Sequence, residues 1–212
     1  MVKVSVVIPA YRSVQFIERC LRSLESQTLA SGAYEVIVVI DGPDELMSKI
    51  INEKFPEFLT ITHKTNLGLP SALNAGLLKA VGRYVVRVDS DDYVDSRYLD
   101  YLLYTIESNP DYGAVACDYI EVDRKERHIK HFNSSNNPIG CGIIFSRQAL
   151  LDIGLYDTNF LLREEEELMI RFLGAGNNKL HLPLPLYRYR KHSENITRNV
   201  KSMSFYKDKL LS

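Results

Sequence analysis

Cysteine is scarce in this sequence, neither sign of charge is in excess, and there is no long apolar run and no glycine-rich phosphate loop. Each deficit narrows what the chain can be. Cys20, Cys117 and Cys141 are the only cysteines in 212 residues. An odd number without CxxC spacing argues against a disulfide framework and fits three ordinary buried side chains in a reducing compartment. Lys and Arg number 26 against 27 Asp and Glu, a formal net charge of -1, so no basic excess is present to wrap nucleic acid. The opening "MVKVSVVIPAYRS" is interrupted by Pro9, Tyr11 and Arg12, too early for a signal or a membrane span. The expected location is cytoplasmic. No repeat, low-complexity tract or Gly/Ser linker divides the chain, and 45% hydrophobic residues suffice for one sizeable core. One domain over residues 1–195 is expected, with halves 1–110 and 111–195 fused together and a tail over 196–212.

What is present alternates. "KVSVVIPA" and "YEVIVVID" are short Val/Ile runs of the kind a fully buried parallel strand requires, and "LTITHK" and "YVVRV" follow in the same manner. Between them lie helical patterns. In "SVQFIERCLRSLESQ", Phe16, Ile17, Cys20, Leu21 and Leu24 recur at spacings of three and four, with Ser13 as a cap. "DELMSKIINEKF" and "LPSALNAGLLKAVG" continue the alternation, the latter with Pro70 in its first turn. Strands alternating with helices predict an α/β fold with a mainly parallel sheet covered on both faces. Ligands then bind beyond the carboxyl ends of the strands, where "PAY", "DGP" and "DSDD" fall. After residue 110 the pattern changes. "YGAVACDYIEVDRKERHIKHF" predicts an antiparallel hairpin turning at Asp123 to Glu126, "PIGCGIIFSRQALLDIG" a glycine-bordered strand and short helix, and "REEEELMIRFLGAG" an amphipathic helix.

Three carboxylates, Asp89, Asp91 and Asp92, crowd the end of the strand in "YVVRVDSDDYV". Like charges so close resist dehydration unless something positive sits among them, and a divalent cation is the obvious candidate. Asp41 ends a strand and should stand in the same crevice, although an isolated strand-end Asp usually caps its own turn. "TNLGLPSALNAG" places Asn66, Gly68, Ser71, Asn74 and Gly76 across a loop-to-helix junction, where free backbone N–H groups can receive an anion. Four glutamates, Glu164 to Glu167, begin the last helix; acidic helix starts commonly just complement the helix dipole. "YRYRKHSEN" alone would be a surface strand with a basic edge.

In order, "VSVVIPAY", "VIVVIDG", "NLGLPSALNAGL", "YVVRVDSDD", a glycine-flanked strand, "EEEELMIR" and "YRKH" resemble the family 2 glycosyltransferases of GT-A fold, from about residue 3 to about 195. The resemblance implies a Rossmann-like mixed, mainly parallel sheet flanked by helices, with a nucleotide-binding half over 1–110 and an acceptor-side half over 111–195. It implies an inverting transferase that moves a sugar from a nucleotide-diphosphate sugar, typically a UDP-sugar, to a hydroxyl of a glycan, lipid-linked or other acceptor. Pro9 and Tyr11 match positions lining the nucleoside pocket, Asp41 the acid that binds the base, and Asn66 and Gly68 the loop over the nucleotide. Asp89 matches the first acid of the DxD motif, near sugar and ribose. Asp91 matches the second, a ligand of Mn²⁺ or Mg²⁺, and Asp92 supports the sugar side. Glu164 and Glu165 match a Glu-Asp pair whose second member is the general base. "YRKH" matches a motif in which Arg190 or His192 reaches the diphosphate or the metal.

The chain departs from that pattern in three places. "DGP" replaces the frequent "DGS", Leu73 stands where an Arg often precedes the helix Asn, and Glu-Glu replaces Glu-Asp. Two other functions compete: a metal-dependent nucleotidyltransferase, which usually opens with a Gly-rich basic loop absent here, and a non-catalytic nucleotide-sugar-binding partner subunit. In the tail, Val200, Met203, Tyr206 and Leu210 follow helical spacings among Lys201, Lys207 and Lys209. Such a tail most often packs on its own domain; the alternative is a peripheral membrane or homo-oligomer contact.

Overall fold

The computed structural model describes residues 1–192 together with 206, 209 and 210. Chain order is β1 (Val4–Ala10), α1 (Val14–Glu25), β2 (Tyr34–Ile40), α2 (Glu45–Lys54), β3 (Leu59–Thr62), α3 (Leu69–Lys79), β4 (Tyr84–Arg87), β5 (Tyr93–Val94), α4 (Tyr98–Ser108), β6 (Ala114–Val122), β7 (His128–Phe132), β8 (Ile143–Ser146), α5 (Arg147–Asp152), α6 (Glu164–Gly174) and β9 (Lys179–Arg190). The described strands form one sheet in the order β3-β2-β1-β4-β8-β6-β9-β5, with β7 on the side of β6. Its first half, β3-β2-β1-β4, is parallel throughout.

The core explains the alternation. Every residue of β1 is buried, and successive side chains serve opposite faces. Val4, Val6 and Ile8 pack with Ile17, Leu21, Met47 and Leu102 of α1, α2 and α4. Val7 packs with Leu73, Leu150, Leu168 and Phe172 of α3, α5 and α6. α1 buries the predicted stripe of Phe16, Ile17, Cys20, Leu21 and Leu24. Ser13 stands at its cap position, but only through its carbonyl, which accepts from the Phe16 and Ile17 N–H groups. The Ser13 hydroxyl is buried without a hydrogen-bond partner.

The second half brings antiparallel strands to the same sheet. β8 pairs antiparallel with β4 and β6, and β7 forms the predicted hairpin with β6. The segment that taken alone would be a surface strand is interior. β9 runs parallel to β6 and antiparallel to β5, with Tyr187 fully buried. Its ladder with β6 steps from Cys117↔Leu182 to Asp118↔Pro185 and then to Tyr119↔Tyr187. The steps fall at Pro183 and Pro185, which have no N–H to donate, so a proline-bearing strand is tolerated inside the sheet.

Among the described residues no helix is long and apolar enough to cross a membrane. Of the tail, Tyr206 lies 6.1 Å from the Phe160 ring, and Lys209 Nζ donates to the Asn159 carbonyl at 3.0 Å. Val200, Lys201, Met203 and Lys207 lie outside the described residues.

Tyr187 ties this late strand to the acidic motif: its hydroxyl accepts from the Asp89 N–H at 3.0 Å and donates to Asp92 Oδ2 at 2.7 Å. Tyr187→Phe leaves two buried polar groups short of a partner, and urea unfolding should show a loss of about 1–3 kcal/mol. An unchanged midpoint would mean that this contact does not anchor β9.

Candidate functional site

The carboxyl ends of β1, β2 and β4, the 138–141 segment and the start of α6 enclose a cleft of about 1020 Å³. Pro9, Tyr11, Asp41, Asn66, Gly68, Asp89, Asp91, Glu164, Glu165 and His192 all line it. The structure therefore brings together ten of the twelve residues singled out in the sequence. The other two, Asp92 and Arg190, lie beside it.

On the β2 side, Asp41 is buried and its carboxylate is largely occupied. Oδ1 accepts from the Leu67 N–H at 2.9 Å and faces His63 Nδ1 at 2.8 Å, and Oδ2 accepts from the Gly68 N–H at 2.8 Å. A carboxylate has about four acceptor positions, so roughly one remains for a ligand. Asp41 thus first holds the 66–68 loop in place. Gly68 permits this because its φ of 91° is a conformation that side-chain-bearing residues avoid. Asn74 is not directed at an anion; its side chain bonds both ways with the Tyr156 backbone, at 2.8 and 3.0 Å.

At the end of β4, the positive charge that the aspartates require is already present in the chain. Arg87 Nε and Nη2 donate to Asp89 at 2.6 and 3.1 Å, and Nη1 donates to Glu164 Oε1 at 2.9 Å. Its side chain is 11% exposed and that of Glu164 is 4%. Burial opposes its charge, but Asp89 and Glu164 raise the Arg87 pKa well above its ordinary value. The sequence reading missed Arg87. A lone basic residue inside an otherwise apolar strand, two positions before an acidic cluster, was the available signal.

Asp92 is a correction to the expected sugar-side role. Its side chain turns into the interior, where Oδ2 accepts from the Tyr187 hydroxyl and Oδ1 accepts from the Arg190 N–H at 2.7 Å. Burial, with Asp91 and Asp89 nearby, raises its pKa well above the usual carboxylate range. Arg190, expected at the diphosphate, is also buried. Its guanidinium donates to the Asp91 carbonyl at 2.8 Å, the Arg124 carbonyl at 3.1 Å and Glu126 Oε1 at 3.1 Å. It braces the DSDD turn against the β6–β7 hairpin.

Asp91 and His192 are left facing the cleft with Asp91 Oδ2 2.8 Å from His192 Nε2. A carboxylate oxygen and an imidazole nitrogen on adjacent walls fit a divalent cation such as Mn²⁺ or Mg²⁺ that also takes phosphate oxygens. Asp89, Asp92 and Cys141 place ligand atoms within 4.8 Å of one another, but that group is poorly suited. Asp89 is held by Arg87, Asp92 is turned inward onto Tyr187 and Arg190, and burial followed by the Asp89 and Asp92 charges raises the Cys141 thiol pKa well above its ordinary value.

On the opposite wall, Glu166 pairs with Arg163 at 2.6 Å and Glu167 with Arg171 at 2.5 Å. Glu165 forms no ion pair among the described residues. Burial and then the Glu164 charge push its pKa up to about 7, with Arg87 opposing. Upstream of the facing 138–141 segment the chain is tied to Asp118, whose carboxylate takes the Ser134 N–H at 2.9 Å, His131 Nε2 at 3.1 Å and His181 Nε2 at 2.7 Å. Burial raises the Asp118 pKa, but these partners outweigh it and hold the group ionised below its usual value.

Sequence and fold comparisons agree with this geometry. The model of glycosyl transferase family 2 matches residues 5–168. This chain belongs to that family. It is 30% identical over 213 residues to the amylovoran biosynthesis glycosyltransferase AmsE of Erwinia amylovora, covering 92% of this chain and 78% of that protein. To the poly(ribitol-phosphate) beta-glucosyltransferase of Bacillus spizizenii it is 39% identical over 101 residues, 46% of this chain and 16% of that protein. S. aureus TarS 1-349 in complex with UDP-GlcNAc superposes with a TM-score of 0.80 at 21% identity, over 93% of this chain and 61% of that one. The mannosyltransferase PcManGT of Pyrobaculum calidifontis, in complex with GDP-Man and Mn²⁺, gives 0.74 at 19%, over 91% and 58%. At such identities the likeness establishes the fold, which is GT-A.

Asp41→Ala removes the acceptor of the Leu67 N–H and one of two acceptors of the Gly68 N–H, whose other partner is Asn66 Oδ1 at 3.0 Å. Thermal and urea unfolding without ligand should show a loss of about 1–3 kcal/mol, together with weaker nucleotide binding by calorimetry. Weaker binding at unchanged stability would assign Asp41 to the ligand alone.

Proposed function

We propose that this family 2 glycosyltransferase is an inverting, metal-dependent enzyme that transfers a sugar from a nucleoside-diphosphate sugar to a hydroxyl of a glycan or lipid-linked acceptor. The observation that carries the reading is the division of the cleft. Asp91 and His192 face it from one wall, and Glu165, with no ion pair among the described residues, faces it from another. Asp91 and His192 would hold Mn²⁺ or Mg²⁺, which supplies charge neutralisation for a departing diphosphate. Tyr11, Asn66 and the Asp41-anchored loop form the nucleoside end. TarS complexes with UDP and UDP-GlcNAc support a UDP-sugar, and the GDP-Man complex of PcManGT makes GDP-sugars the second donor to test. AmsE, by its name a biosynthetic enzyme for amylovoran, supports a polysaccharide acceptor.

In the transfer step Glu165 accepts the proton of the acceptor hydroxyl as its oxygen bonds to the anomeric carbon. The bond from that carbon to the diphosphate oxygen breaks with its electron pair, so nucleoside diphosphate leaves and one displacement inverts the centre. A general base works best when its pKa lies near the working pH. Only ionised Glu165 can take the proton, and its pKa is raised to about 7. kcat/KM should therefore be low under acid conditions, rise through pH 7 and level off above it. A profile already flat from pH 5 to 8 would remove Glu165 as the base.

Of the two competing functions, the nucleotidyltransferase gives way to the family match. The non-catalytic partner subunit is separated by mutation. Glu165→Gln should keep donor affinity while lowering transfer by about 10²- to 10⁴-fold, whereas Asp91→Ala should abolish metal-dependent nucleotide binding in calorimetry. Equal, negligible transfer in wild type and Glu165→Gln across UDP- and GDP-sugars would favour the binding subunit.

A further inference from the structure

Three carboxylates, Asp89, Glu164 and Glu165, line one region of the cleft, and the single guanidinium of Arg87 reaches two of them. Its fork grips Asp89 and its remaining N–H-bearing nitrogen binds Glu164. Glu165, one residue further, has no cation within ion-pair distance among the described residues. The packing accounts for the difference. A Cβ on Gly140 would stand 2.8 Å from Arg87 Nη1 and 3.0 Å from Glu165 Cβ. The bare glycine backbone thus admits the guanidinium and the Glu165 stem side by side.

We infer that Arg87 is a positioning residue that assigns the roles of the two adjacent glutamates. By tying Glu164 to the donor-side Asp89, it keeps Glu164 as a strut and leaves Glu165 as the carboxylate that exchanges a proton with the acceptor. The inference deepens the transferase reading and rests on it only for the source of that proton. The charged and titratable groups around Glu165 are Glu164 and Glu166 on α6, Arg87 on β4 and the Tyr156 hydroxyl. Burial holds Tyr156 protonated, its pKa raised despite the opposing Arg87. Without Arg87, buried Glu164 and half-buried Glu165 become neighbouring carboxylates that cannot both ionise easily, and their protons leave in two separated steps. With Glu164 neutral, the charge beside Glu165 that Arg87 offsets is gone, and the cation is left with Asp89 alone.

The test is a ¹³C-carboxyl NMR titration of glutamate-labelled, ligand-free protein, with Glu165→Gln to assign the resonance. Arg87→Met should raise the Glu165 titration by about one pH unit or more, and the Arg87→Met/Glu164→Gln double variant should return it to within about half a unit of wild type. Transfer assays on the same proteins should show the acid limb of kcat moving with the titration. A loss of Arg87 that acts merely through packing would not be rescued by changing Glu164. Should Arg87→Met fail to fold by circular dichroism, Glu164→Gln alone decides: with Arg87 intact and its second partner neutral, the Glu165 titration should fall by about one unit. A Glu165 titration unmoved in Arg87→Met, or unmoved in Glu164→Gln, overturns the inference. Titrations as expected in a wild-type protein that transfers no sugar would uphold Arg87 and reject the transferase reading instead.

Discussion

The cleft depends on one buried cation shared between two acids that are 75 residues apart in the chain. Arg87 leaves a strand whose neighbours are apolar and enters a wall of carboxylates. Removing either side alone would strand a charge in a poorly hydrated place, the costliest kind of defect in a protein interior. The cost of burying the ions is offset because the fork on Asp89 and the bond to Glu164 satisfy all three donor nitrogens with charged acceptors, which are stronger and more directional than neutral ones. The same pairing joins β4 to α6, so two walls of the cleft share one contact.

A second linkage reinforces the first from the other end of the chain. β9 arrives almost a hundred residues after the DSDD turn and supplies both the Tyr187 hydroxyl and the Arg190 N–H to Asp92. Arg190 adds the bond to the Asp91 carbonyl. The third aspartate of the motif is consumed in this work. Its role is to fix the turn so that Asp91, the neighbouring carboxylate, projects toward the cleft beside His192. An acid-rich motif thus divides by side-chain direction. Asp89 is neutralised by an arginine, Asp92 is folded inward and hydrogen-bonded, and Asp91 faces the space where a cation fits.

The parallel half was legible in the sequence because β1, β2 and β4 are Val/Ile-rich runs and α1 carries a clean apolar stripe, so local pattern and burial agree there. The hairpin was legible from its charged turn. β9 was not: Pro183 and Pro185 argue against an interior strand, and only the register steps opposite Cys117, Asp118 and Tyr119 make room for them. The cleft-lining positions of Asp41, Asp89 and Asp91 followed from strand ends, and those of Glu164 and Glu165 from the family resemblance. The inward turn of Asp92 and the burial of Arg190 did not, because a sequence does not state which side of a tight turn each side chain takes. Nor could it show that Asp41 spends most of its acceptor capacity on the Leu67 and Gly68 N–H groups, contacts spanning 26 and 27 residues.

The Glu-Glu pair, a departure from the Glu-Asp pattern that the sequence resembles, sits against a backbone that has no side chain to meet it. A Cβ on Gly140 would come within 3.0 Å of Glu165 Cβ and 3.2 Å of its Cγ. An aspartate would present both of those atoms too, so the glycine makes room for the stem of the acid and not for its extra methylene. The same carbon would reach Arg87 Nη1 at 2.8 Å. Any side chain at 140 would therefore disturb at once the Glu165 stem and the cation that restrains its neighbour, and the glycine and the arginine form a single arrangement beside Glu165.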